Sequence, residues 1–403
     1  NYSINILVVN IILLYSTAFN AKVLPKNGAS IHYNAVYFEE NPSENARSYQ
    51  IYLSKDSLFK EIIPFKNGSK NIIPVFQAEN LQWGTKYYWR VNSFDHKNKL
   101  THISGTHSFN IVEIKTANFD EVKVKVNSAV AGEYSLDLIS IDNTRTIFDK
   151  TGNPVWTMPL INEVVDFNTQ IRDIKLTQDN TITFLTEKNV FEIDFEGNVL
   201  WKGPENFTIN KGDTITFHHD FTKDANGNYY VLGKHYIYRK LLQKLEGDVV
   251  KYEADAIQTD SGIYKKVEIG MLLKFDKNQK LLWFWDSNDY LKDIDLNFKK
   301  TASGFPNFNT HSNAFSINEL GTFAYFGMRD FSRIVKIDMK TKKVVASYGE
   351  KYPSGEAHEA NDVIKSQHDA NATNHNTILI LNNNGARGGG VSSVIELKDE
   401  LKN

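Results

Sequence analysis

Residues 190–201 read VFEIDFEGNVLW, an apolar strand, an Asp-x-x-Gly turn and a second apolar strand that ends in tryptophan. The same pattern occurs earlier as TIFDKTGNPVW at 146–156, later as LLKFDKNQKLLW at 272–283, and more loosely as IVKIDMKTKKVV at 334–345. Two apolar runs joined by such a turn are typical of a β-hairpin. The chain therefore carries a repeated hairpin, and a repeat has to be recognised before other features are assigned.

A second unit lies between these hairpins, with a short strand, a polar turn and a very apolar strand in that order. Two hairpins in each repeat make a four-stranded blade, and blades arranged radially form a β-propeller, in which circular closure removes exposed sheet edges. We therefore predict an all-β fold with a β-propeller over residues 130–403. The repeat register predicts blades at 131–158, 171–202, 217–286, 311–348 and 366–403, and the third contains a long charged insertion at 233–267.

The region before the propeller, residues 22–112, alternates short β-rich runs with turns. Its clearest run is LQWGTKYYWRV at residues 81–91, in which Tyr87, Trp89 and Val91 share one strand face by period-two alternation. The pattern resembles the strand that leads to the last hairpin of a fibronectin type III domain. We predict a small fibronectin III-like β-sandwich at 22–112.

The first residues indicate export. An apolar run at 4–14 is followed by Ser16, Thr17 and Ala18, which suit the small-residue cleavage rule of a secretory signal, whereas a buried first strand is the structural alternative. No initiator Met or charged start precedes the run, and the sequence stops just after a strand at 394–397. We therefore expect a truncated signal peptide at 1–18, a propeller truncated at its C-terminus, and a periplasmic or secreted protein.

Composition narrows the classes of partner. The formal net charge is −2 and the charges are interspersed, which argues against a nucleic-acid-binding face or a polybasic membrane patch. The chain has no cysteine, which excludes disulfide bonds, thiol catalysis and thiolate metal sites. We expect small-molecule partners, with no nucleic acid and no membrane span, and a homodimer is a candidate assembly.

Histidines recur at one position of the repeat. His218 and His219, His311, and His368 open the first strands of three successive blades, whereas the blade at 171–202 has Arg172 and no histidine there. First strands are innermost in a propeller, so these side chains should converge on the central channel. A purely structural residue should recur in every blade, and the uneven recurrence therefore favours function.

Alternation along a strand divides these motifs, because adjacent residues point to opposite faces. If His368 faces the channel, Asp369 does not, and Asp369 braces the turn instead. Only one of His218 and His219 should face inward; the His-Asp register favours His219, and alignment with the motif at 311–313 favours His218. We prefer His219 and retain His218 as the alternative.

Two further polar residues accompany His311. Asn313 lies two residues away, so the two side chains should share one face, and Arg329 ends the strand that pairs with theirs. A surface salt bridge with the adjacent Asp330 is the structural alternative for Arg329. The glycine-rich stretch at 385–390 has no strand-to-helix context for a phosphate loop, so we predict a flexible loop at the rim of the channel.

Histidines, an asparagine and an arginine without a clear carboxylate partner suit transfer of a sulfuryl group. By analogy with phosphoryl transfer, such donors stabilise charge on the group's oxygens while a neutral imidazole attacks, and another histidine can act as general base. The alternatives are a metal- or quinone-dependent propeller oxidoreductase and a non-catalytic binding module for sulfated or aromatic ligands. An arginine beside the site argues against a metal.

At these motifs the chain resembles the bacterial arylsulfate sulfotransferases, which use no nucleotide sulfate donor. The resemblance covers nearly the whole chain, and its middle stretch is the most specific. The stretches that carry it are FHHDF at 217–221 with NGN at 226–228, HSN at 311–313 with Arg329 and SRIVKID at 332–338, and QHD at 367–369 with LNNNG at 381–385.

The resemblance implies a six-bladed β-propeller preceded by a β-sandwich, and an enzyme that needs no cofactor or metal. It implies that His368 is the nucleophile that becomes sulfated, that His219 and His311 transfer protons or stabilise the sulfate, and that Asn313 and Arg329 hold the sulfate oxygens. An aryl sulfate would be the donor and a phenol the acceptor, in a ping-pong reaction. Several members of the family carry a disulfide, which this chain lacks.

Overall fold

The computed structural model of the chain divides into two compact units, Asn1–Ile114 and Lys115–Asn403. The predicted signal segment at 1–18, the glycine-rich loop at 385–390 and the start of the first predicted blade at 131–137 lie outside the described residues. Strands dominate the described part, so the prediction of an all-β protein is confirmed. The described residues are 23–41, 43–63, 81–115, 138–149, 152–209, 214–242, 256–298, 309–354, 359–360, 363–373, 376–384 and 391–399.

The N-terminal unit contains a five-stranded sheet with the order β1-β5-β3-β2 and with β4 also paired to β3. Its strands are β1 (Ala29–Ile31), β2 (Ser48–Ser54), β3 (Thr85–Phe94), β4 (Leu100–Ile103) and β5 (His107–Ile111). Tyr87, Trp89 and Val91 of β3 are all at most 1% exposed, and the residues between them are more exposed. The predicted alternation of this strand is confirmed, and its aromatic face forms the core of the unit.

The C-terminal unit is a series of mostly antiparallel sheets that follow one another along the chain. The first three contain β6 (Ile139–Ser140), β7 (Thr146–Phe148) and β8 (Pro154–Thr157); β9 (Arg172–Leu176), β10 (Ile182–Leu185), β11 (Val190–Ile193) and β12 (Val199–Lys202); and β13 (Thr216–Lys223), β14 (Tyr229–Lys240), β15 (Ala256–Thr259), β16 (Gly262–Phe275) and β17 (Leu281–Asp286).

Two more sheets follow a 3-10 turn, Ser287–Asp289, and a short helix α1, Asp293–Phe298. The described helices include none that is long and apolar enough to cross a membrane. Consecutive strands pair in the second sheet as two hairpins, as the repeat predicts, and the series is consistent with a propeller-like fold. The fourth and fifth sheets contain β18 (Ser312–Ile317), β19 (Phe323–Met328), β20 (Arg333–Asp338), β21 (Val344–Gly349) and β22 (Glu359–Ala360); and β23 (His368–Ala372), β24 (Thr377–Asn382) and β25 (Ser393–Lys398).

A tryptophan ends three of the four repeated hairpins and joins its sheet to the next. The indole of Trp201 stacks on Tyr229 with ring centroids 3.9 Å apart. The indole nitrogens of Trp156 and Trp283 donate hydrogen bonds to the Phe195 and Met339 carbonyls, at 3.1 and 2.8 Å. A large apolar ring with one donor suits this position, because it packs between sheets, and in Trp156 and Trp283 it also satisfies its N–H group.

The described part of the predicted insertion, 233–242 and 256–267, is largely strand. β14 continues to Lys240 and pairs with β16 as far as Tyr264, so the hairpin extends beyond the rest of its sheet. Its sequence, KHYIYRK at 234–240, alternates polar or aromatic residues with residues that pack inward, a period-two pattern that favours a strand.

The first strands of consecutive sheets lie side by side. Each is an edge strand whose outer amides have no partner within the sheet, and a side chain of the preceding sheet accepts a hydrogen bond from one of them. We call these contacts side-chain straps. They join Asp142 to the Asp173 amide, Asp173 to the Phe221 amide, Asp220 to the Phe315 amide and Ser316 to the Ala372 amide, at 3.1, 2.9, 2.9 and 3.0 Å.

Candidate active site

Four histidines from three consecutive sheets lie together where the first strands meet. His218 and His219 belong to β13, His311 immediately precedes β18, and His368 begins β23. The ring centroids of His219 and His311 are 5.1 Å apart, and the two Nδ1 atoms of His218 and His219 are 2.7 Å apart. His368 is near enough to influence the pKa values of His219 and His311. The structure therefore brings together histidines that are far apart in sequence.

A β-bulge interrupts each of these first strands beside its histidine. In β13, residues 218–220 lie opposite a single residue of β14, and His219 and His311 have left-handed backbones with φ of 60° and 42°. A bulge re-aims side chains and breaks the alternation of faces. The prediction that only one of His218 and His219 faces inward is therefore wrong, because the bulge brings both imidazoles into the cluster.

His368 is held through one ring nitrogen. Its Nδ1 lies 2.6 Å from Nδ2 of Asn383, which follows the neighbouring strand β24. The nitrogen and oxygen of an amide exchange places when the group rotates by 180°, so Asn383 can also present Oδ1 to this position. In either orientation Nδ1 is occupied, and Nε2 is the nitrogen that remains for chemistry.

Arg329 directly follows β19, as predicted. Its backbone amide donates to the His311 carbonyl at 3.2 Å, and its Nε atom donates to Asp330 Oδ1 at 2.9 Å. The salt bridge considered as an alternative is therefore present. The guanidinium nevertheless acts on the cluster, because its positive charge lowers the pKa values of His311 and His368.

Asn313 has a different surrounding from the one predicted. It lies within the bulge between Ser312 and Ala314, where regular alternation with His311 no longer holds. Its side chain is buried, and Nδ2 donates to the Gln367 carbonyl at 2.8 Å. Because Gln367 precedes His368, Asn313 positions the strand that carries His368, rather than standing free beside His311.

Three charged residues of the cluster were missed by sequence reasoning. Lys234 of β14 and Glu268 of β16 form an ion pair at 3.1 Å. The charge of Lys234 helps to lower the pKa of His219, and the charge of Glu268 opposes the lowering of the pKa of His311. Arg172, at the start of β9, also helps to lower the pKa of His219 through its positive charge. The one available signal was that Arg172 opens its blade where the later blades have histidine. Lys234 lies within the predicted insertion at 233–267 and Glu268 directly follows it, so the repeat register gave no sign of either residue.

The histidines are held in the neutral state. Burial lowers the pKa of all four imidazoles, since the charged form loses hydration. The pKa of His219 falls to about 4 through burial, His311 and Arg172, and the pKa of His218 falls well below its usual range through burial, His219 and Lys234. Neutral imidazoles can attack or accept protons near neutral pH.

A cavity of about 830 Å³ adjoins the cluster, because His219 and Asn313 line it. It is lined by His219 and by carboxylates of the first strands, and Lys175 bridges Asp173 and Asp220 at 2.8 and 2.6 Å. Asp369 accepts a hydrogen bond from Asn371 at 2.7 Å, which agrees with a bracing role in its own turn. Among the described residues no three side chains of the metal-ligating types are grouped closely enough to hold a metal ion.

Solved structures resemble the chain only weakly. A protein of unknown function from Bacteroides caccae is 13% identical with a TM-score of 0.30, and covers 63% of this chain and 86% of its own. Hydrazine synthase from Kuenenia stuttgartiensis is 10% identical with a TM-score of 0.34, at 96% and 100% coverage, and Hsv2 from Kluyveromyces lactis is 10% identical with a TM-score of 0.26, at 78% and 96%. At these TM-scores the likeness carries no argument. No curated protein matches the chain.

The comparison with family models gives a clear result. The model of the arylsulfotransferase (ASST) family matches residues 121–394, which is more than half of the chain and includes β6 to β24. All four histidines and Arg329 fall within the matched range. The chain belongs to the arylsulfotransferase (ASST) family.

Proposed function

We propose that the protein moves a sulfuryl group from an aryl sulfate ester to a phenol through a sulfated His368. Membership of the family supports sulfotransferase activity in general. The observation that carries the finer proposal is the meeting of neutral imidazoles from three sheets beside the guanidinium of Arg329. A neutral nucleophile, a neutral base and a cation for the sulfate oxygens are what the reaction requires.

In the first half-reaction Nε2 of His368 attacks the sulfur of the ester. The bond from sulfur to the aryl oxygen breaks, and the aryl group leaves as a phenolate. Asn383, with Oδ1 toward the ring, accepts the Nδ1 proton in a hydrogen bond and so keeps the lone pair on Nε2. Arg329 stabilises the negative charge that the sulfate oxygens carry in the transition state.

In the second half-reaction an acceptor phenol attacks the sulfur, and the bond from nitrogen to sulfur breaks. His219 or His311 takes the proton of the phenol, and the released His368 is neutral again. The proton left on this base is available to the phenolate that departs in the next cycle. Both half-reactions thus balance without a metal or a cofactor.

A mass measurement tests the covalent step. The protein is incubated with 4-nitrophenyl sulfate and no acceptor, and its peptides are weighed at neutral pH. We expect the mass of one sulfuryl group on the peptide that contains His368, and no such label in His368→Asn. Labelling of another peptide, or nitrophenol release without any label, would contradict the proposed carrier; ligand binding without release would favour the binding module.

The pH profile supplies a second test. Because burial and Arg329 lower the pKa of His368, the imidazole stays neutral at pH values where an ordinary histidine, with a pKa near 6.5, is charged. We expect the rate of nitrophenol release to stay on its plateau below pH 6.5 and to fall only at lower pH. Removing the cation in Arg329→Gln should move this acidic limb toward higher pH, as measured by single-turnover kinetics from pH 4 to 8.

An acidic limb that does not move in Arg329→Gln would show that the guanidinium does not act on the nucleophile. Lys202→Gln is a suitable control, because Lys202 is half exposed and pairs with Glu205 at the outer strand of its sheet. This variant removes one positive charge away from the histidines and should leave the limb where it is.

We also propose the finer architecture and the location. A six-bladed propeller with the histidines in its channel is supported by the repeated sheets and adjoining first strands. The last sheet leaves Leu379, Leu381 and Val394 exposed, which suits packing against a further blade. The alternating aromatic strand β3 supports a fibronectin III-like sandwich in the N-terminal unit, and the apolar start of the sequence supports export to the periplasm.

A further inference from the structure

The hairpin formed by β14 and β16 has one fixed face and one open face. On the fixed face Val267 and Ile269 are fully buried, and Arg239 donates to Asp293 at 2.6 Å and to Asn288 at 2.6 Å. Side chains of a strand alternate between faces, so the residues between these point the other way. Contacts on the fixed face therefore hold the hairpin in place, while its other face stays accessible.

The open face carries two tyrosines with a large exposed fraction. Tyr236 is 38% and Tyr238 is 49% exposed, and their cross-strand partners are Glu268 and Lys266. The Tyr236 hydroxyl donates to Glu268 Oε2 at 3.1 Å, and Lys266 Nζ lies 4.9 Å from the centre of the Tyr236 ring. These contacts orient the first ring and place a positive charge beside it.

This face begins at the histidine cluster. Lys234, two residues before Tyr236, forms an ion pair with Glu268, and its positive charge helps to lower the pKa values of His218 and His219. The backbone carbonyl of Glu268 accepts from the amide and hydroxyl of Thr310, at 3.2 and 3.1 Å, and Thr310 precedes His311. Glu268 therefore links the two regions, because its carboxylate accepts from the Tyr236 hydroxyl and its backbone carbonyl accepts from the residue before His311.

The spacing of the two rings matches an extended aromatic molecule. Residues two apart on a strand are separated by about 7 Å, which is comparable to the length of a single aromatic ring, so both tyrosines can contact the outer ring of a biaryl or fused molecule. Tyrosine rings bind other aromatic rings by stacking or edge contacts, and the nearby lysines favour an anionic sulfate ester. Other exposed aromatic pairs of the described chain lack this connection to the histidines.

We propose that the open face of this hairpin binds the part of the substrate that lies beyond the reacting ring, and that the enzyme prefers phenols and aryl sulfates with two or more rings. This inference rests on the proposed function. Tyr236 contacts the near edge of the ring next to the reacting one, and Tyr238 contacts the far edge of that same ring. The hairpin determines specificity without taking part in the chemistry.

Paired acceptors and variants test the preference. With 4-nitrophenyl sulfate as donor, kcat/KM is measured for 4-phenylphenol and for phenol as acceptors. We expect the two-ring acceptor to be preferred, and Tyr236→Ala and Tyr238→Ala to lower its kcat/KM by roughly three- to tenfold with little change for phenol. Tyr236→Phe keeps the ring and should retain most of the preference.

Leu282→Ala is the matched control, because Leu282 is 48% exposed on β17, the outer strand of the same sheet. This variant should leave kcat/KM unchanged for both acceptors. An equal loss for both acceptors in the tyrosine variants, or a loss in Tyr236→Phe as large as in Tyr236→Ala, would overturn the proposal.

Binding of sulfonates separates this inference from the proposed function. Biphenyl-4-sulfonate and benzenesulfonate lack the ester oxygen and cannot transfer a sulfuryl group, so calorimetry reports their binding without turnover. Tighter binding of the two-ring sulfonate, with loss of that advantage in Tyr238→Ala, supports the hairpin surface. This holds even if the protein transfers no sulfuryl group, because the absence of transfer would reject only the proposed reaction. Equal affinity of the wild-type protein for the two sulfonates rejects the hairpin surface.

Discussion

Replacing His368 by asparagine should lower kcat for transfer from 4-nitrophenyl sulfate to phenol by roughly 10⁴-fold or more, as expected for loss of a covalent nucleophile. The variant removes Nε2, and the amide that replaces the ring is a far weaker nucleophile. The neighbouring imidazoles and Arg329 remain, so the substrate should still bind. Steady-state kinetics with calorimetric titration of benzenesulfonate separates these two effects.

The matched control is His102→Asn, because His102 is an exposed histidine of β4 in the N-terminal unit. It should leave kcat and sulfonate affinity unchanged. If His368→Asn retains more than a tenth of the wild-type kcat, another group carries the sulfuryl or none does. If it loses sulfonate binding completely, His368 contributes to binding more than to chemistry.

Replacing Lys336 by methionine should lower the free energy of unfolding by about 3 to 5 kcal/mol, the usual cost of leaving one charge of a buried pair alone. Lys336 Nζ lies 2.7 Å from Asp399 Oδ2, and the two side chains are only 2% and 6% exposed. The hydroxyls of Tyr325 and Tyr348 also donate to Asp399, so the carboxylate joins the fourth sheet to the end of the fifth. Urea unfolding followed by tryptophan fluorescence measures the change.

A second variant checks that the cost comes from the unpaired charge. Adding Asp399→Asn to Lys336→Met removes the remaining charge and leaves an amide whose oxygen accepts from one tyrosine hydroxyl and whose NH2 group can donate to the other. Much of the lost stability should then return. A single variant that costs under 1 kcal/mol, or a double variant no more stable than the single one, would contradict this account of the network.

The strands of the repeat could be predicted from the sequence, because their information is local. Alternation and the Asp-x-x-Gly turn define a hairpin within about a dozen residues. Where a tryptophan ends the hairpin, its ring packs against the next sheet in the same way in each blade. The same local pattern predicted that His219, or alternatively His218, would meet His311 and His368. Their meeting needed only the register of the repeat.

The direction in which individual side chains point could not be predicted in the same way. A bulge depends on how two strands pair, and alternation alone gives no sign of it, so His218 and His219 were assigned to opposite faces although their rings touch. Asn313 also lies in a bulge, so alternation with His311 could not predict its hydrogen-bond partner, and its role toward the sulfate stays a prediction. Glu268 reaches His311 because a long hairpin brings it back to the cluster, a contact that sequence spacing does not encode.

The side-chain straps between first strands have a direction. The acceptor always belongs to the earlier sheet and the amide to the later one, so each join depends only on two neighbours. Whole repeats could be gained or lost by duplication or deletion with every remaining join still chemically complete. An inverted repeat would instead set acceptor against acceptor. The straps thus fix the succession of sheets but not their number, which must depend on the angle at which neighbouring sheets pack.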